Sequence, residues 1–156
     1  SVVPKPFQIQ DAYESARGAY TKAKELNPYS PSKLLAMARL ESDNESLDKA
    51  GVLAEEAAKM KTNYADAHFF LSQIAVQQGN ISRAIEKTET TIILSPSNAG
   101  LYFQLGVLYF NVPNYGNASQ ALGKAVEMVP DYANARYFLG LSLARIGDKA
   151  GATQQF

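Results

Sequence analysis

His68 is the only histidine in the chain, and Ser72 follows it by four residues, one helical turn on. A serine near an imidazole is half of a nucleophile and base pair. That chemistry also needs a carboxylate behind the imidazole and an oxyanion pocket, and a helix surface offers no oxyanion pocket. The sequence holds no strained nucleophile turn and no glycine-rich phosphate loop. One histidine and no cysteine exclude a histidine or thiolate metal cluster within one chain. The run Glu41, Asp43, Glu45, Asp48 offers oxygen ligands but lacks calcium-loop spacing, and it reads as a solvated helix-turn-helix. Asn44-Glu45-Ser46, Asn80-Ile81-Ser82 and Asn117-Ala118-Ser119 match glycosylation triplets, which capping or turn chemistry explains equally well. The expectation is a chain with no enzyme activity, no cofactor and no metal.

Fifteen basic residues balance fifteen acidic ones, which argues against a general electrostatic grip on nucleic acid or on an anionic membrane. Apolar residues make up 46% of the chain, enough for a packed interior. No window approaches the roughly 18 apolar residues of a membrane span, and Ser1-Val2-Val3-Pro4-Lys5-Pro6 lacks the basic start and apolar stretch expected of a secretory signal. The chain starts at Ser1 and not at Met. We therefore expect a piece of a longer protein: a soluble segment, either cytoplasmic or the soluble part of a membrane-anchored bacterial protein.

The elements that would position a site show themselves through self-similarity. Leu105-Gly106 recurs as Leu139-Gly140, 34 residues later, and stepping back by the same interval gives Leu71-Ser72 and Met37-Ala38. The same step relates Pro96 to Pro130 (and, two steps before Pro96, Pro28), and links Ala16, Ala50, Ala84, Ala118 and Ala152. One register covers every match without an insertion. Gly or Ala at the eighth position has almost no side chain, so a neighbouring helix can come close to its backbone. Gly79 and Gly147 can take the left-handed conformation that ends a helix, and Pro113 disfavours helical geometry in Val112. The residue after each of these turns is Ser46, Asn80, Asn114 or Asp148, all cap-forming types.

This pattern resembles the tetratricopeptide repeat family, whose units read W-x2-L-G-x2-Y, then A-x3-F, then P. The fullest copy starts at Ala99, with Tyr102 at the Trp position, Leu105-Gly106, Tyr109, Ala118, Leu122, Ala125 and Pro130. The copy from Ala133 has Arg136, Leu139-Gly140, Leu143, Ala152 and Phe156; the copy from Ala65 has His68, Leu71-Ser72, Ala75, Ala84, Thr88 and Pro96. The copy from Pro31 is the most divergent, with Glu41 at the Tyr position and Thr62 at the Pro position. Before it, Tyr13, Ala16, Tyr20, Ala23 and Pro28 fit a second helix. The resemblance implies an all-α chain, a right-handed α-solenoid of tandem 34-residue helix-turn-helix repeats. Residues 1–10 would be an N-terminal extension and 11–30 the second helix of a partial repeat. Residues 31–64, 65–98 and 99–132 would be repeats, and 133–156 a truncated one.

In this family the first helices line a concave groove, so the resemblance implies a partner-binding surface made of Phe69, Phe70, Gln73, Val76, Phe103, Gln104, Val107, Phe110, Asn111, Tyr137, Phe138 and Leu141. The alternative for these rings is packing between adjacent first helices. The lysine and asparagine clamp that family members use for chaperone-tail carboxylates is absent: Phe69 and Gln73, and Phe103 and Val107, stand at its paired positions, and Asp66, Gly100 and Asn134 at another. Covering three or four rings contributes ~6–8 kcal/mol against an association cost of ~4–15 kcal/mol. A longer helix, an extended protein segment or a second copy of the chain fits those magnitudes better than a short peptide. The expected function is a non-catalytic protein-protein interaction scaffold, with homo-oligomeric self-assembly as the other reading.

Overall fold

The computed structural model describes residues 6–26 and 30–156, so Pro28, one of the repeat-matched prolines, lies outside the described residues. Among the described residues there are nine helices and no strand. They are α1 Pro6–Leu26, α2 Pro31–Asp43, α3 Leu47–Met60, α4 Ala65–Gln77, α5 Ile81–Leu94, α6 Ala99–Asn111, α7 Tyr115–Met128, α8 Ala133–Arg145 and α9 Lys149–Gln155. From α2 on, helix starts repeat at the 34-residue step read from the sequence. α1 begins at Pro6, so residues 6–10, which the repeat register alone assigns to an extension, are helical. Proline suits the first turn of a helix because its missing N–H has no intrahelical partner there.

The chain divides into two compact units, residues 1–74 and 75–156, with the division inside α4. In the first, Leu34, Leu35 and Ala38 of α2 pack with Ala50, Ala54, Ala57 and Ala58 of α3 and with Ala67, Phe70, Leu71 and Ile74 of α4. The alanine face of α3 lets helix axes close together with little side chain between them. In the second unit, Ala118, Leu122 and Ala125 of α7 meet Ala135 and Leu139 of α8, while Ala75, Ala84 and Leu108 form a smaller cluster.

The eighth repeat position behaves as its lack of side chain requires. Ala38, Ser72, Gly106 and Gly140 are all buried. A methyl built on Gly106 would run into Cγ of Leu122, and one built on Gly140 would lie 2.7 Å from the Phe156 ring. Leu122 and Phe156 are the same repeat position, four residues after Ala118 and Ala152.

Gly79 and Gly147 take φ of 72° and 89°, and Glu45, at the same repeat position, takes 60°. The left-handed turn thus belongs to the repeat and not to glycine alone. The Asn80, Asn114 and Asp148 side chains accept the backbone N–H of Arg83, Asn117 and Gly151 at 3.1, 3.3 and 2.9 Å. Ser46 departs from this set: it holds the N-cap of α3, but its hydroxyl caps nothing. Its backbone angles match the other three, and the geometry offers no reason.

The acidic run is not uniformly solvated as expected. Glu41 is only 1% exposed; Arg17 Nε sits 3.1 Å from its carboxylate, and the Tyr13 hydroxyl donates to it at 2.9 Å. Asp43, the last residue of α2, and Glu45 beyond the helix end are exposed.

The two glycines make a graded test of the close approach. Gly106→Ala should cost about 1–3 kcal/mol, because the branch point of buried Leu122 cannot move aside. Gly140→Ala should cost clearly less, since the Phe156 ring is 72% exposed and free to swing. Urea unfolding of both variants measures the difference; equal losses would contradict this packing.

Candidate partner-binding face

On α6, Phe103 and Phe110 are two turns apart and share one face. On α8, Phe138 lies against both: its ring centroid is 6.1 Å from that of Phe103 and 5.4 Å from that of Phe110, each edge to face. Tyr137 meets Phe138 at 5.6 Å, and Phe156 meets Tyr137 at 6.1 Å. Tyr132, at the N-cap of α8, tilts onto Phe103 at 5.0 Å. Tyr115, the first residue of α7, stands edge-on to Phe110 at 5.2 Å. Seven rings therefore form one connected ladder within residues 75–156, with Phe138 touching three others. The Arg145 guanidinium closes its far end, 5.5 Å from the Tyr115 ring centre.

These rings are partly spent on packing. Phe103, Phe110 and Phe138 are half-buried and rest on the Ala118, Leu122, Ala125 core. Edge-to-face pairs of this kind contribute about 0.5–1.5 kcal/mol each beyond area burial. What stays open is a rim: Tyr137 is 53% exposed and Val76 42%, with Asn111 also exposed. Val107 and Leu141 are half-buried. Gln104 Nε2 donates to Thr88 Oγ1 of α5 at 3.5 Å, so that amide is partly committed to the neighbouring helix.

In the first unit, Phe70 is 8% exposed within the core, its ring 5.8 Å beneath the Arg39 guanidinium, and has little surface left to offer a partner. Phe69 is half-buried and Gln73 exposed. Ser72, one turn from the half-buried His68, has no exposed surface from which to act as a nucleophile.

Tyr115, Tyr132 and Phe156 belong to the ladder although the groove positions of the repeat do not include them. The 34-residue step carries a signal for one of them: Leu47, Ile81 and Tyr115 all open a second helix, and the first two pack on their cores.

Two clefts open on the second unit. One, of about 850 Å³, is lined by Asn98, Gly100, Val129, Tyr132 and Asn134 at the starts of α6 and α8. The other, of about 440 Å³, lies among α5, α6 and α7 and includes Glu89, Tyr102, Tyr109, Asn117 and Lys124. There the Tyr109 hydroxyl donates to Glu89 at 2.6 Å. That bond, with burial and the carboxylate charge, pushes the phenol up to about 12 from 10.0. A raised phenol pKa means the fold favours the protonated form. Its contribution to stability is intact below pH 10 and disappears as pH rises through about 12. Tyrosinate absorbance of the parent minus that of Tyr109→Phe should give this midpoint, and Glu89→Gln should bring it back toward 10; a midpoint near 10 with Glu89 in place would contradict the bond.

No curated protein matches the chain by sequence. Solved structures do match in fold. A MamA crystal structure superposes with a TM-score of 0.82 at 20% identity, covering 99% of this chain and 92% of that one. MamA 41-end from Desulfovibrio magneticus RS-1 gives 0.79 at 19% identity, with 94% and 83% covered. YrrB, described as a tetratricopeptide-repeat protein with an unusual peptide-binding site, gives 0.78 at 20% identity, with 93% and 75% covered. At such identities the likeness shows the fold, an all-α solenoid of tandem helical hairpins. The tetratricopeptide repeat pattern itself matches residues 35–99 and 103–156, well over half of the chain, and the chain belongs to that family.

Proposed function

We propose that this chain is a non-catalytic interaction scaffold that holds a helix or an extended protein segment against the first-helix face of its second unit. The observation that supports the reading is the ring ladder on α6 and α8: a rigid apolar floor whose outer ring, Tyr137, is half open to solvent. Large aromatics locked by neighbours lose little freedom on binding, which is why such residues dominate partner recognition. Exposed Asn111 beside them supplies amide hydrogen bonding without charge. The recognised segment is therefore apolar and weakly charged. YrrB is described as carrying a peptide-binding site, which favours the same class of ligand. No helix among the described residues is long and apolar enough to cross a membrane.

Self-association has an observation of its own. Phe156 is 72% exposed beside Tyr137, with Ile146 51% exposed. Sedimentation over a concentration range separates the readings, since a chain that stays monomeric is left with a heterologous partner.

Selection from a displayed helical-peptide library gives a ligand with which to test the face. Amide shifts on adding it should fall on α6 and α8. Tyr137→Ala should weaken binding about tenfold or more with no loss of helix content, because the ring is at the rim and carries no core packing. Shifts confined to α5 and α7, or unchanged affinity in that variant, would overturn the assignment.

A further inference from the structure

Glu41 is a fully buried carboxylate at a repeat position where the other copies carry Ala75, Tyr109 and Leu143. Repeat packing does not ask for a charge there. Among the described residues its partners come from α1: the Tyr13 hydroxyl at 2.9 Å and Arg17 Nε at 3.1 Å, one turn apart on the same face of that helix. On the same face Ala16, Tyr20 and Ala23 are half-buried, and Lys33 Nζ donates to the Ala23 carbonyl at 3.5 Å. Tyr13 is the only buried residue of α1 among those described, while Ile9 is 56% and Leu26 79% exposed.

We propose that the α2 face centred on Glu41 is a helix-recognition site that selects a tyrosine and an arginine one turn apart, and that α1 is its built-in occupant. A buried acceptor satisfied by two donors on one helix turn discriminates strongly. A helix without the guanidinium leaves the carboxylate desolvated and unpaired, which is far costlier than losing an exposed ion pair. A partner helix offering the same tyrosine and arginine competes with α1 for the site. The site lies within the first unit and does not depend on the aromatic face of the second.

The full chain carrying Tyr13→Ala and Arg17→Ala keeps the site but disarms its occupant. A labelled peptide of residues 6–26 should bind this chain at least tenfold more tightly than it binds the native chain, where α1 is in place. The peptide with Arg17→Glu should lose that binding, and Glu41→Arg in the disarmed chain should restore it. Failure of the disarmed chain to take up the peptide, or equal uptake of both peptides, overturns the proposal. Hydrogen exchange on the otherwise native Glu41→Gln chain gives an independent reading. Faster exchange should be confined to α1; acceleration throughout the first unit would mean that Glu41 supports the core and not the docking of one helix.

Discussion

Helices can repeat at a fixed step only if each can approach the next without an obstructing side chain, and in this chain that condition is met at one recurring position. Ala38, Ser72, Gly106 and Gly140 are small and buried, and at the two glycines the space of a methyl group is already taken by Leu122 and Phe156. Close approach there fixes the rotation of one helix against the next. Within the second unit that rotation brings Phe138 of α8 between Phe103 and Phe110 of α6. The aromatic face is a consequence of small residues elsewhere on the same helices.

The rings serve two ends at once. Their inner edges lean on the Ala118, Leu122 and Ala125 core, and their outer edges form the surface. In the proposed complex a partner meets groups already immobilised by one another, and the entropic cost of ordering them falls on folding, not on binding. Locked rings also leave less apolar area to bury. On the proposed reading, affinity comes from fit along several turns of a partner, in keeping with the size of the association cost.

Fold and turns were legible in the sequence because their causes are local and repeated. The 34-residue step, the turn before each second helix, and the Asn80, Asn114 and Asp148 caps each need only a residue type at a position. The site was legible less completely, for two physical reasons. Ring contacts depend on side-chain rotamers, so the joining of Tyr132 and Tyr115 to Phe103 and Phe110 could not be read from groove positions alone. Burial is set by neighbours distant in sequence: Phe70 became part of the core that α2, α3 and α4 share, and Glu41 became an enclosed carboxylate because α1 covers it. Glu41 at the family's tyrosine position was the visible anomaly, and the acidic residues around it disguised a buried charge as part of a solvated run.

The claim on which this account rests is that first helices α6 and α8 meet through their rings. Selectively labelled phenylalanine makes the test direct, by measuring cross-relaxation between ring protons in solution. The account predicts cross-peaks from Phe138 to both Phe103 and Phe110, as the 6.1 and 5.4 Å centroid separations require. Cross-peaks from Phe138 to Tyr137 without either of the others would show that the two helices do not share an aromatic face, and the proposed binding surface would not exist.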